Sequence, residues 1–173
     1  FEALYHKYKR QLYQTALAIT GDQGAAEEIL QDCFVRAYAA MGRVEASPSI
    51  SPWLHRIVVN LSRNWANRSR HWPLAFEALV DGLTASPAAS PEYAMERNTL
   101  REVMQEAIVS LGLQQRIVIV LFYLEGFHLP EIAYIMNCPV GTVKSRLHYA
   151  CKALRKKLRE DRRLVGEVAY GVS

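Results

Sequence analysis

Apolar residues recur along this chain at helical spacing, broken at intervals by short turn signals. A first helix is predicted from about Glu2 to Thr20, ended by Gly21, which suits the left-handed position after a helix. Asp22 then caps a second helix running to about Met41 and stopping at Gly42. Its apolar set is Ile29, Leu30, Cys33, Phe34, Ala37, Tyr38 and Met41. Ser51 followed by Pro52 is a cap with proline at the first helical position, which opens a third helix. Trp53, Leu54, Ile57, Val58, Leu61 and Trp65 gather on its core-facing side. Its outward side is unusual: Arg56, Asn60, Arg63, Asn67 and Arg70 recur at steps of four, three, four and three, one polar stripe. These three helices make a compact unit ending near Trp72.

The pattern is lost between Pro73 and Pro91, where "LTASPAASPE" is small, proline-bearing and aperiodic, as a linker is. Ser90-Pro91 repeats the cap-plus-proline signal and opens a fourth helix towards Ser110, with Leu100, Val103, Met104, Ala107 and Ile108 on its face. "QQRIVIVLFYLEG" is rich enough in β-branched residues to resemble a buried strand. With helical neighbours and no partner strand it is assigned as a buried helix closed by Gly126. The expected fold is all-α: two small helical bundles joined by a flexible linker. Residues 1–72 form the first domain, 73–91 the linker and 92–173 the second domain.

The second bundle ends in "LPEIAYIMNCPVGTVKSRLHYACKALRKKL". Pro130 starts a short helix with Ile132, Ala133, Ile135 and Met136 inward, and Asn137 is a residue that accepts a left-handed turn. A longer helix follows, with Val143, Leu147 and Leu154 as its buried positions, and the small Ala133 lets the two helices cross closely. This is helix-turn-helix spacing. In that motif the leading residues of the second helix enter the major groove, here Thr142, Lys144, Ser145, Arg146, His148 and Tyr149. Lys152, Arg155, Lys156, Lys157 and Arg159 follow, a run suited to phosphate attraction.

Charge sharpens this picture. The net charge is only +4, but residues 1–72 hold nine Lys/Arg against six Asp/Glu, and 111–173 hold ten against five. Residues 73–110 hold two against six, so an acidic middle joins two basic ends, as two separate contacts with a polyanion require. No acid occurs from Ala46 to Phe76, where a carboxylate would repel a held strand. A nuclease would need clustered carboxylates or a nucleophile–base pair, so no catalytic residue is assigned. Three cysteines without a CxxC pair are no disulfide framework and fit a reducing cytoplasm. Cys33 is assigned to the core. Cys138, His148 and Cys151 would lack a fourth zinc ligand, so neither metal nor cofactor is expected. No apolar run reaches the roughly 18 residues of a membrane span, and a cytoplasmic location is expected.

The string "EIAYIMNCPVGTVKSRL" resembles region 4.2 of the sigma-70 superfamily, in its small extracytoplasmic-function (ECF) group. "AAEEILQDCFVRAY" resembles regions 2.1–2.2 and "SPWLHRIVVNLSRNW" resembles regions 2.3–2.4, in the family's order. The resemblance implies a bacterial transcription initiation factor that binds core RNA polymerase and directs it to promoter DNA. It places −35 recognition on Thr142, Lys144, Ser145, Arg146, His148, Tyr149 and Lys152. It places −10 recognition and opening on Arg56, Asn60, Arg63, Asn64, Asn67, Arg68 and Arg70. Glu28, Gln31, Asp32 and Arg36 match the motif that docks on the polymerase β′ coiled coil. The β flap and an anti-sigma factor are further implied partners, and no small-molecule substrate is implied. The chain departs from the family where Tyr149 and Cys151 replace common arginines, where Asn64 replaces a common aspartate, and in the individual loop "VEASPSIS". The alternative from the residues alone is a stand-alone helix-turn-helix regulator that binds duplex DNA without polymerase.

Overall fold

The computed structural model describes residues 1–40, 50–69 and 91–164. Every regular element among them is helical. They are α1 (Glu2–Thr20), α2 (Gln23–Ala40), α3 (Ile50–Arg68), α4 (Pro91–Val109), α5 (Leu113–Ile119), α6 (Leu129–Met136) and α7 (Val140–Glu160). A single wide π-helical turn, Val120–Leu124, extends α5. None of these helices is long and apolar enough to cross a membrane.

The turn chemistry acts where the residues dictate. Gly21 takes φ 67° and closes α1 with its N–H on the Leu17 carbonyl at 2.7 Å. The Asp22 carboxylate accepts from Ala25 N–H at 2.8 Å, satisfying an otherwise orphaned donor at the start of α2. Pro91 is the first residue of α4, and Gly126, at φ 72°, ends the turn after α5. Three expectations fail. α3 begins at Ile50, so Ser51 lies inside its first turn rather than capping it, and its carbonyl engages the His55 ring Nδ1 at 2.8 Å. Leu100 is 44% exposed, and Tyr38, expected inside, is 69% exposed. Met41, Gly42, Arg70, Trp72, residues 73–90 of the linker and most of the "VEASPSIS" loop lie outside the described residues.

The first three helices pack mutually around Leu12, Ala16, Leu17, Ala26, Ile29, Cys33, Leu54 and Val58. A second core, built from α4 to α7, does not stop at the second bundle: it takes in Ala18 and Ile19 of α1 and Val59 of α3. The two bundles therefore meet along a seam, in which α3 packs on α6, and α1 packs on α5 and its π-helical turn.

Burial on α3 explains the seam. His55, Val59, Ser62 and Ala66 are all buried, and they repeat at steps of four, three and four. That second inward stripe runs one residue behind the arginine–asparagine stripe, about 100° around the helix. Covering it draws the neighbouring arginines into the contact. Polar groups pin the joint. Arg116, 2% exposed, donates to the carbonyls of Val109 (2.6 Å), Leu111 (3.2 Å) and Ile19 (3.3 Å). Burial pulls its pKa down to about 10, and the three carbonyls help to hold the guanidinium there. Glu125, placed by the wide turn, accepts from the Thr15 hydroxyl at 2.6 Å and lies 3.5 Å from His55 Nε2.

Candidate nucleic-acid interface

The helix-turn-helix is built as the residues predict. The Glu131 carboxylate accepts from the His128 backbone N–H at 2.8 Å, fixing the start of α6. Ile132, Ala133, Ile135 and Met136 are buried, and Asn137 sits at φ 53°, ψ 53°. Asn137 is the one non-glycine residue of positive φ among the described residues. Cys138 N–H then bonds the Ala133 carbonyl at 3.1 Å, so the turn folds tightly over the small side chain. α7 enters with Val143 buried and continues with Ala150 and Leu154 buried, while Leu147 is half-buried against the same core.

Lys144, Ser145, His148, Tyr149 and Lys152 are exposed on α7, and Thr142 is half-buried at its start. The His148 and Tyr149 rings meet edge to face at 5.4 Å, a small aromatic platform, and Tyr149 is 58% exposed. Ser145 Oγ donates back to the Gly141 carbonyl at 3.0 Å. Arg146 departs from this outward set: it turns inward, with Nη1 donating to Gln114 Oε1 at 3.4 Å and approaching Cys138 Sγ at 3.8 Å. Behind these positions Arg155, Lys156, Lys157 and Arg159 stay exposed, a basic tail with no acid until Glu160.

The α3 stripe divides. Asn60, Asn64, Asn67 and Arg68 are exposed, with Arg68 Nε on the Asn64 carbonyl at 3.2 Å. Arg56 and Arg63 are half-buried in the seam, and here the expectation of a wholly outward face is corrected. Arg56 lies over the Tyr134 ring at 4.9 Å and reaches Asn137 Oδ1 at 3.5 Å. Burial first, then the nearby Arg146 charge, hold the Arg63 pKa below its ordinary value, with Cys138 partly opposing them. The cause is the second inward stripe, which buries the flank of α3 beside these arginines.

On α2, Glu28, Gln31, Asp32 and Arg36 are exposed along one face. Val35, 68% exposed, lies on the same face between them, and Tyr38 follows one turn later. Neither was among the expected docking residues. An apolar residue standing off a charged helix face is the signal that could have found Val35. Cys138 and Cys151 lie apart: the first faces Arg146, and the second meets the Tyr123 hydroxyl at 3.6 Å.

Comparison with known proteins covers both bundles. The family profile described as Sigma-70 region 2 matches residues 4–71, and that described as Sigma-70, region 4 matches residues 101–154. The ECF RNA polymerase sigma factor SigW of Bacillus subtilis is 36% identical over 160 residues, spanning 88% of this chain and 86% of the relative. The ECF RNA polymerase sigma-E factor of Escherichia coli is 32% identical over 142 residues, spanning 78% and 74%. Among solved structures, the sigma factor RpoE in complex with the anti-sigma factor NepR, from Bartonella quintana, superposes with a TM-score of 0.68. It is 23% identical, with 94% of this chain and 98% of that chain covered, which is a likeness of fold.

Proposed function

The chain belongs to the sigma-70 family, in its ECF group, and we propose how its surfaces divide the work of transcription initiation. It is a sigma factor for transcription initiation rather than a stand-alone regulator, because the likeness runs through both bundles and not the helix-turn-helix alone.

Residues 1–72 act as the domain that docks on core polymerase and handles the −10 element. Residues 92–173 act as the −35 reader, with 73–91 linking them. The observation that carries this division is the pairing of two acid-free surfaces on separate helices: the leading face of α7 and the asparagine-bearing face of α3. Lys144, Ser145, His148 and Tyr149 meet base edges or sugar in the major groove, Thr142 anchors the start of α7, and Lys152 with the basic tail meets phosphates. Asn60, Asn64 and Asn67 offer amides to bases, while Arg56, Arg63, Arg68 and Arg70 clamp the backbone. Because Arg56 and Arg63 lie in the seam, their contact with DNA requires the bundles to part. Arg146 turns outward at the same moment. Glu28, Gln31, Asp32 and Arg36, with Val35 between them, dock on the polymerase coiled coil. The factor has no catalysis of its own and works in the cytoplasm. An anti-sigma protein that holds the bundles together is its natural antagonist.

The test is binding to core polymerase in a gradient-sedimentation assay, with wild type against Asp32→Lys and Val35→Asp. Weakening by tenfold or more is expected for both exposed substitutions. Unchanged co-sedimentation of both would remove α2 from the docking role.

A further inference from the structure

Arg63 stands out among the polar groups of the seam. Its Nε and Nη2 are buried and bond to no protein group. No ion pair among the described residues includes it or Arg146. Two arginines from two bundles thus approach one another with the Cys138 thiol beside them and no acid between. Buried polar groups in folded proteins are almost always satisfied, and a buried guanidinium edge without a protein partner calls for an ion or an ordered water.

The open edge also says which ion. Nε and Nη2 form the side-on fork of a guanidinium, matched to two oxygens of one planar or tetrahedral anion. The same chain shows that edge in use. Arg163 grips the two carboxylate oxygens of Asp161 through Nε at 3.0 Å and Nη2 at 2.8 Å. Arg63 presents the identical pair, with the Arg146 charge across the seam to neutralise the remaining negative charge.

We propose that the Arg63–Arg146 seam binds a single oxyanion, a phosphate or a carboxylate, and that the bound anion ties α3 to α7. Binding converts a repulsive contact into a bridge, so the anion favours the closed arrangement over one in which the bundles part. The same arginines face DNA phosphates in the functional reading above, yet the anion site stands on the seam geometry alone.

The test uses the full chain at fixed pH and ionic strength, exchanging sodium chloride for sodium phosphate in one arm and sodium acetate in another. Thermal midpoint and radius of gyration are read together. At a tenfold excess over the dissociation constant the midpoint should rise by about 3–6 °C, with saturation. The radius of gyration should stay compact or contract. Arg63→Gln and Arg146→Gln should each abolish the rise, while Lys156→Gln on the basic tail should keep it. A response to phosphate alone assigns a tetrahedral anion; an equal response to acetate assigns a carboxylate, as an acidic side chain would supply. A midpoint no higher than in chloride overturns the proposal, and so does a full rise persisting in both arginine variants.

Discussion

Replacing Glu125 with alanine removes the group that joins three segments of the seam. Its side chain is 2% exposed and that of His55 is 0% exposed, so water does not substitute for what is lost. One carboxylate oxygen accepts from Thr15 of α1 at 2.6 Å, and the other stands 3.5 Å from His55 Nε2 of α3, without hydrogen-bond alignment. His55 Nδ1 is already engaged with the Ser51 carbonyl at 2.8 Å, and Phe127 packs edge-on against the ring at 4.8 Å. His55 Nε2 has no other partner, whereas the Thr15 hydroxyl also has the Gln11 carbonyl of its own helix at 3.1 Å. Breaking a buried pair by deleting one member costs about 3–5 kcal/mol, because the other polar groups stay buried. Glu125→Gln keeps an acceptor for Thr15 and should cost about 1–3 kcal/mol. For a domain of this length each kcal/mol is worth roughly 2–4 °C of melting temperature, so alanine should lower Tm by about 6–20 °C. Urea denaturation followed by helical circular dichroism measures both variants, and a double-mutant cycle with Thr15→Val isolates the hydroxyl contact. A loss below about 1 kcal/mol in Glu125→Ala, or additivity with Thr15→Val within about 0.5 kcal/mol, would refute the latch.

Further outcomes follow from the same geometry. Cys33 is fully buried, and burial pushes its thiol up to about 12, so a thiol reagent at pH 8 should label Cys138 and Cys151 but reach Cys33 only after unfolding. Labelling of three thiols in the native chain would contradict that core. Asn137→Val forces a β-branched residue into φ 53° and should cost about 1–2 kcal/mol in urea titration, whereas Asn137→Gly should cost far less. In the polymerase-bound state, Arg63→Ala should flatten the salt dependence of promoter binding by about one unit. Lys144→Ala should relax preference at one or two −35 positions by roughly 1–3 kcal/mol, read by competition among variant promoters; uniform weakening would make it a backbone contact.

Much of the fold was legible because punctuation and periodicity agreed. Gly21, Asp22, Pro91, Gly126 and Asn137 each stand where a helix ends or begins, and each has a backbone reason to be there. The seam was not legible. Val59, Ser62 and Ala66 are small or polar and look neutral beside the leucines and tryptophans of α3, while His55 resembles a surface residue. Their common spacing was the available signal, since 55, 59, 62 and 66 shadow the polar stripe one residue behind it. Glu125 was hidden too, because "YLEG" looks like an ordinary helix end until the wide turn rotates the carboxylate inward. Tyr38 misled for the opposite reason: its apolar ring fits the α2 period, but the neighbouring helices leave that edge uncovered.

Reconstituted transcription decides whether the chain is a working initiation factor. The chain, core RNA polymerase and promoter templates from the source genome are combined, with the chain alone and the core alone as controls. Discrete run-off transcripts are expected only when chain and core are both present, and are lost when Asp32→Lys replaces wild type. Transcripts that never appear on any such template, while the isolated chain binds promoter duplex tightly and the core adds nothing, would contradict it.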